Sequence, residues 1–162
     1  PVVSSAASDV YKRQVEKIDD HSGIVLTNGV FDILHKGHIE LLKFSKNQGD
    51  KLIVAIDSDE RVRQLKGEDR PINNEEDRRK VLETNRYVDS VVTFNSSEEL
   101  KTLYETLCPD VVVKGSEWTA DELRERDEIP DTIQVKVYPL VGDYSTTNTM
   151  EKIRNMGSCE KI

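Results

Sequence analysis

Thr27-Asn-Gly-Val-Phe-Asp-Ile-Leu-His-Lys-Gly-His38 is the stretch of this sequence that decides its fold. Immediately before it, residues 23–27 form an apolar run that is typical of a short buried strand. After it, the apolar residues within 39–44 recur with the spacing of a helix. The two histidines, His35 and His38, are therefore predicted to lie at the beginning of a helix that follows a strand and a turn.

The predicted helix start has the properties of an anion-binding site. Unpaired backbone N–H groups and the positive end of the helix dipole attract phosphate there, and Gly37 lets an anion approach the main chain closely. An imidazole of His35 or His38 can donate a hydrogen bond to a phosphoryl oxygen. Capping or packing at the helix start is the alternative role for the same two side chains.

The rest of the chain alternates between strand and helix patterns. Further strands are predicted at 51–57, 90–94, 110–114 and 133–138, with helices near 59–65, 74–85, 97–107, 120–127 and 145–157. Near-continuous apolar runs indicate strands that are covered on both faces, as in parallel sheets. We therefore predict an α/β fold with a doubly wound, parallel, five-stranded Rossmann-like sheet. Ligands bind at the carboxyl ends of the strands in such sheets, and the polar motifs of this sequence follow those ends.

Composition and charge exclude several functional classes. The net charge of −8 disfavours general nucleic-acid binding, because affinity for a phosphate backbone depends on clustered Lys and Arg. No apolar run approaches the ~20 residues needed to span a bilayer. Cys108 and Cys159 lack the spacing of a zinc site or a disulfide framework, so we expect a reducing, cytoplasmic environment.

The N-terminal residues differ from the rest of the chain. Residues 1–14 are small, polar and aperiodic, and they contain neither the apolar core of a signal peptide nor an initiating Met. We interpret them as foreign sequence of the translated-adapter type, with a disordered N-terminal arm as the alternative. Residues 15–162 are predicted to form a single domain.

Three further motifs accompany the His35-Lys-Gly-His38 run. They are Lys66-Gly-Glu-Asp-Arg-Pro71 with the later Arg86-Tyr-Val-Asp89, then Val113-Lys-Gly-Ser-Glu-Trp118, and finally Tyr144-Ser-Thr-Thr147. In order and spacing, these motifs resemble those of the cytidylyltransferase-like nucleotidyltransferase family over residues 24–156. Within that family, the sequence is most similar to the heptose 1-phosphate adenylyltransferases of ADP-heptose synthesis, and next to the glycerol-3-phosphate cytidylyltransferases.

The resemblance implies a HUP-type nucleotidyltransferase fold and an enzyme that moves a nucleoside monophosphate from a triphosphate to a small phosphorylated acceptor, releasing pyrophosphate. ATP with heptose 1-phosphate is the leading hypothesis, and CTP with glycerol 3-phosphate is the alternative. A non-catalytic nucleotide-binding module is an alternative of another class. Mg²⁺ is expected to arrive with the triphosphate and to be held mainly by its oxygens rather than by protein side chains. A cytoplasmic homodimer acting in carbohydrate metabolism, with no nucleic-acid or membrane partner, is also expected.

The resemblance also implies roles for individual residues. The residues implied in catalysis are His35, His38 and Lys66. Those implied in nucleotide binding are Thr27, Asn28, Gly29, Phe31, Gly37, Lys114, Gly115, Tyr144, Ser145, Thr146 and Thr147. Those implied in acceptor binding are Asp32, Arg70, Arg78, Arg86 and Trp118.

Most of these roles have a plain structural alternative. Phe31 is also suited to the core, Asp32 to a turn or cap, and Trp118 to packing against the sheet. Arg78 and Arg86 are also suited to ion pairs on a helix surface or to bracing a dimer interface. Capping accounts for one hydroxyl of the Ser-Thr-Thr triplet, but not for the agreement of all three with the family.

Overall fold

The computed structural model describes residues 23–140 and 142–157. The segment predicted to be foreign or disordered, residues 1–14, lies outside this range. The strands are β1 (Ile24–Gly29), β2 (Lys51–Asp57), β3 (Ser90–Phe94), β4 (Val111–Gly115) and β5 (Gln134–Tyr138). The helices are α1 (Lys36–Lys46), α2 (Asp59–Lys66), α3 (Glu75–Glu83), α4 (Ser97–Leu107), α5 (Ala120–Arg126) and α6 (Thr146–Met156).

The five strands form one parallel sheet in the order β3-β2-β1-β4-β5. Strands β2 and β3 lie on one side of β1, and the later strands β4 and β5 lie on its other side. The strand order therefore reverses between β1 and β4, and a crevice opens at the carboxyl ends of these two strands. This topology confirms the predicted doubly wound fold.

Helices cover both faces of the sheet, which explains the uninterrupted apolar runs. Successive residues of β1 point to opposite faces, so Val25 and Leu26 belong to different core clusters. Leu26 packs in the cluster that includes Leu103 of α4, whereas Val25 packs in the cluster that includes Leu42 of α1. Among the described residues, no helix is both long and apolar enough to cross a membrane.

Arg78 of α3 is a buried structural residue, only 2% exposed. Its guanidinium donates to the carbonyl oxygens of Val30 at 2.8 Å, Asp57 at 2.9 Å and Asn73 at 3.0 Å, and it pairs with Asp59 at 2.9 Å. It therefore joins the turn after β1, the end of β2 and the loop before α3. Four of the five N–H donors of Arg78 are thus used within the protein, and this buried position gives no support to the acceptor-binding role predicted for it.

Candidate active site

A cleft of about 610 Å³ opens at the carboxyl edge of the sheet. It is bounded by the turn after β1 and by the beginnings of α1 and α6. Of the residues predicted from the sequence, its lining includes Phe31, Asp32, His35, Gly37, His38, Lys66, Arg70, Gly115, Tyr144, Ser145, Thr146 and Thr147. The early histidine pair and the late hydroxyl cluster thus meet in one cleft. Thr146 Oγ1 even donates directly to the carbonyl oxygen of Asp32, at 2.6 Å.

The two histidines are held as a stacked pair. Their ring centroids lie 3.8 Å apart with an interplanar angle of 24°. The backbone N–H of His35 donates to Nδ1 of His38 at 3.2 Å, and the His38 ring also packs against Phe31 with centroids 5.3 Å apart. His38 therefore serves in the capping role through Nδ1 and keeps its other ring nitrogen for a different partner.

His38 is a neutral hydrogen-bond donor at physiological pH. Its pKa is lowered from 6.5 to about 4, mainly by burial; His35 and Lys66 contribute to the lowering, and Asp32 opposes it. Because Nδ1 of the neutral ring accepts a backbone N–H, the ring proton resides on Nε2. Burial also lowers the pKa of His35, whose buried Nδ1 has no hydrogen-bond partner among the described residues. At the beginning of α1 this ring faces the backbone N–H of His38, in the arrangement of a capping box.

We expect NMR titration of the free protein to show His38 as the Nε2–H tautomer, neutral down to a pH of about 5 and titrating near 4. Between pH 6.5 and 4 the unfolded chain binds this proton more readily than the folded chain. The stability contributed by His38 is therefore complete above pH 6.5 and is lost as the pH falls through about 4. A measured His38 pKa at or above 6.5 in the free protein would contradict this description.

Gly37 is required because a side chain there has no room. An ideal Cβ at this position lies 2.9 Å from Cε1 of His35 and 3.2 Å from Cβ of Tyr144. These contacts would displace the His35 ring or the beginning of α6, although the main chain of the helix needs no change. The glycine is thus explained by the close approach of α1 and α6 around the cleft.

We predict that Gly37→Ala lowers kcat/KM about tenfold, because shifting a preorganised donor costs roughly 1.4 kcal/mol of transition-state stabilisation. The free energy of unfolding should change by less than about 1 kcal/mol, because alanine favours the helix and His35 can rotate. Steady-state kinetics and urea denaturation check the two parts. Unchanged kinetics in the folded variant would refute the steric role of Gly37.

The beginning of α6 offers backbone N–H groups to the cleft, whereas two of its three hydroxyl groups are hydrogen-bonded within the protein. Ser145 Oγ accepts the N–H of Asn148 at 2.9 Å and so caps the helix, while the Thr146 hydroxyl is bonded to Asp32. Thr147, by contrast, is exposed at the cleft. The groups that this end of the cleft offers to a ligand are therefore the N–H groups of the first helical turn and the hydroxyl of Thr147.

Asp32 has the turn role that was the alternative prediction for it. Its carboxylate is 1% exposed and accepts the backbone N–H groups of Ile72 at 2.6 Å and Asn73 at 3.0 Å. Arg70 Nε lies 4.0 Å from this carboxylate and has no hydrogen-bond partner among the described residues. Asp32 thus holds the loop after α2 against the cleft and leaves the Arg70 side chain available there.

The cleft has the charges expected for a polyphosphate site. Its lining contains the cations Lys36, Lys66 and Arg70 and the carboxylates Asp32 and Glu40. The positive ends of α1 and α6 add to the cationic side, although the whole chain carries a net charge of −8. Among the described residues, no group of three or more His, Cys, Asp or Glu side chains is arranged to hold a metal ion.

The structure does not bring every predicted site residue to this cleft. Outside its lining lie Thr27, Asn28, Gly29, Arg78, Arg86, Lys114 and Trp118. Thr27 is fully buried within β1, and Arg86 stacks on the ring of its neighbour Tyr87 at 4.9 Å. Trp118 is 49% exposed and carries the guanidinium of Arg126 over its ring at 4.9 Å. The alternative role for Trp118 was packing against the sheet. Its exposed side chain does not have that role.

Sequence reasoning missed the apolar wall of the cleft. Leu41, Tyr138 and Leu140 line it, and an ideal Cβ on Gly115 would lie 3.3 Å from Leu41 Cδ2 and 3.5 Å from Leu140 Cδ2. The glycine therefore lies directly beneath two leucine side chains of this wall. One signal was present in the sequence, because Leu140 follows the carboxyl end of a predicted strand.

Comparison with curated proteins identifies relatives of this chain. The chain is 45% identical over 130 residues to the Bifunctional protein HldE of Koribacter versatilis, a match that covers 80% of this chain and 26% of that protein. It is 45% identical over 132 residues to the protein of the same name from Haemophilus influenzae, covering 81% of this chain and 28% of the relative. The chain therefore spans less than a third of the length of these relatives.

Comparison with solved structures identifies two proteins that superpose on this chain. A lipopolysaccharide core biosynthesis protein from Thermoplasma volcanium superposes with a TM-score of 0.61 at 31% identity, covering 76% of this chain and 99% of that one. A pantoate-beta-alanine ligase from Francisella tularensis matches with a TM-score of 0.61 at 15% identity, over 93% of this chain and 75% of that one, and shows the shared fold alone. The Cytidylyltransferase-like family model matches residues 26–155, and the chain thus belongs to the cytidylyltransferase-like family.

Proposed function

We propose that this domain transfers the adenylyl group of ATP to the phosphate of heptose 1-phosphate, forming ADP-heptose and pyrophosphate. One observation supports this proposal above the others. A stacked, neutral histidine pair and the N-termini of two helices line the same cationic cleft. Family membership and the HldE relatives support nucleotidyl transfer. The similarity to a lipopolysaccharide core biosynthesis protein supports a sugar phosphate as the acceptor.

In the proposed reaction, an acceptor phosphate oxygen forms a bond to the α-phosphorus of the triphosphate. The bond to the α,β-bridging oxygen breaks, and its electron pair leaves with pyrophosphate. Nε2–H of His38 and the N–H groups at the beginning of α6 donate to oxygens on which negative charge develops. Lys66 and Arg70 balance the charge of the departing group. No covalent enzyme intermediate is needed, because positioning and electrostatics account for phosphoryl-transfer catalysis.

The role of Mg²⁺ is part of the proposal. The carboxylate of Asp32 is already engaged by backbone N–H groups, which leaves Glu40 as the other carboxylate in the lining. A metal held mainly by phosphate oxygens and water fits this scarcity of protein ligands. When bound, it would neutralise charge on the triphosphate.

A crossed assay tests the proposal. Pyrophosphate release and product mass are measured with ATP or CTP against heptose 1-phosphate or glycerol 3-phosphate. We expect ADP-heptose to form with the highest kcat/KM. CDP-glycerol as the preferred product would support the cytidylyltransferase alternative, and saturable nucleotide binding without turnover on any pair would support the non-catalytic module.

We also propose that the enzyme acts in the cytoplasm as a homodimer and belongs to carbohydrate metabolism, in agreement with its resemblance to the heptose enzymes. Light scattering coupled to size-exclusion chromatography tests the oligomeric state. A mass of about 18.5 kDa, that of one chain, would contradict the homodimer.

A further inference from the structure

Four aromatic rings that line the cleft follow one another in a column. The ring centroid of Phe31 lies 5.3 Å from that of His38, and the His38 centroid lies 3.8 Å from that of His35. The His35 ring in turn is stacked with the ring of Tyr144, with centroids 6.3 Å apart and an interplanar angle of 22°. This distance lies within the usual range for aromatic pairs. The column therefore joins the beginning of α1 to the residue that precedes the cap of α6.

The His35 ring is held by these ring contacts rather than by hydrogen bonds. His38 differs, because its Nδ1 accepts the backbone N–H of His35 at 3.2 Å. Nδ1 of His35 faces the backbone N–H of His38, but it forms no hydrogen bond among the described residues. The orientation of the His35 ring therefore depends on the rings of His38 and Tyr144 beside it.

Tyr144 has a defined place although it is 51% exposed. The hydrogen bond from Thr146 Oγ1 to the carbonyl oxygen of Asp32, at 2.6 Å, ties the beginning of α6 to the turn after β1. An ideal Cβ on Gly142 would lie 3.4 Å from Cε2 of Tyr144, so the ring is in contact with this glycine. The Lys36 ammonium lies 6.0 Å from the centre of the same ring. Because Tyr144 belongs to neither core cluster, its ring can be removed while the core stays intact.

Gly37 provides the space for the contact between the two rings. An ideal Cβ at this position would lie 3.0 Å from Nδ1 of His35 and 3.2 Å from Cβ of Tyr144. The two side chains thus approach each other over the glycine, and a methyl group there would press on both. The close approach of α1 and α6 therefore brings Tyr144 to the His35 ring.

We propose that Tyr144 is a positioning residue, whose ring holds the imidazole of His35 in the orientation in which it contacts a phosphate of the bound triphosphate. This inference rests on the proposed nucleotidyl transfer and gives α6 a second task besides offering its N–H groups. His35 contacts the ligand in this description, and Tyr144 acts through His35. The role differs from the nucleotide contact that the resemblance implies for Tyr144, and the two roles predict different kinetics.

Tyr144→Leu removes the ring and keeps an apolar side chain. We expect kcat to fall about tenfold, because a His35 ring that is free to rotate presents its donor less often in the productive geometry. The Kd for the nucleotide should change less than about threefold, since the ring itself makes no ligand contact. A Kd raised about tenfold or more with unchanged kcat would assign the ring to the nucleotide and overturn the positioning role.

Tyr144→Phe is the conservative variant, because phenylalanine keeps the ring and loses only the hydroxyl group. It should keep kcat within about twofold of the wild type. A loss equal to that of Tyr144→Leu would assign the effect to the hydroxyl group and contradict a role of the ring. Ile153→Ala, an exposed position on the same helix, is the matched control and should keep native kinetics.

A double-mutant cycle with His35 separates positioning from direct contact. His35→Ala removes the group on which Tyr144 is proposed to act, so adding Tyr144→Leu should cause no further loss of kcat. Fully additive losses would overturn the positioning role, because the tyrosine ring would then act without the imidazole.

NMR of the free protein tests the geometry independently of activity. Nuclear Overhauser effects between the ring protons of His35 and Tyr144 are expected in the wild type, and their absence would overturn the inference even for an active enzyme. If the wild type releases no pyrophosphate with any substrate pair, the proposed function fails and the positioning role fails with it. If the wild type is active and Tyr144→Leu keeps kcat within about twofold, only the role of Tyr144 is refuted.

Discussion

Replacing His38 with alanine is expected to lower kcat at least about 100-fold while the protein stays folded, since a preorganised donor in a partly dry site contributes roughly 3 kcal/mol. The expectation follows from the orientation of this ring. The backbone N–H of His35 fixes Nδ1, and stacking on His35 together with the tilted contact of Phe31 fixes the plane of the ring, so Nε2–H is oriented before substrate arrives. Alanine keeps the helix but removes this donor.

Single-turnover and steady-state kinetics measure the loss, and circular dichroism with thermal unfolding confirms the fold. Lys43→Ala, an exposed position on the same helix, is the control and should keep native kinetics. A His38→Ala enzyme with near-native kcat would mean that the histidine only caps α1. The N–H groups of α1 and α6 would then remain as the donors of the cleft.

Replacing Arg78 with methionine is expected to lower the free energy of unfolding by roughly 3–5 kcal/mol, the range found when one partner of a buried ion pair is removed. Methionine fills much of the space but leaves the carbonyls of Val30 and Asp57 without this donor and leaves Asp59 without its cation. The turn after β1 would lose its link to β2, so activity should fall as well.

Urea denaturation measures the change in stability. Arg63→Met on α2 is the matched control, because that arginine is exposed, and it should change the free energy of unfolding by less than about 0.5 kcal/mol. If Arg78→Met were as stable as the wild type but failed to bind the acceptor, the acceptor-binding role assigned from the sequence would have to be restored.

The sequence by itself determined the architecture and the place of the site. Strand and helix periods predicted the five parallel strands, because each period reflects only which faces of an element are buried. The rule that ligands bind beyond the carboxyl ends of such strands then brought His38 and Thr147 to the same edge, although they lie far apart in the chain. For Gly37, the sequence predicted a close approach of phosphate to the main chain, whereas the structure shows a close approach of His35 and Tyr144.

Only the tertiary structure decided which polar side chains face the cleft and which are used within the protein. Arg78, Lys114 and Asp32 have the same residue types as ligand-binding groups, and nothing in their local sequence reveals a buried partner. Their partners are supplied by other elements: Asp57 for Arg78, Tyr104 for Lys114 and the backbone of Ile72 for Asp32. A buried polar group must find such partners, and which ones it finds depends on how distant segments pack together.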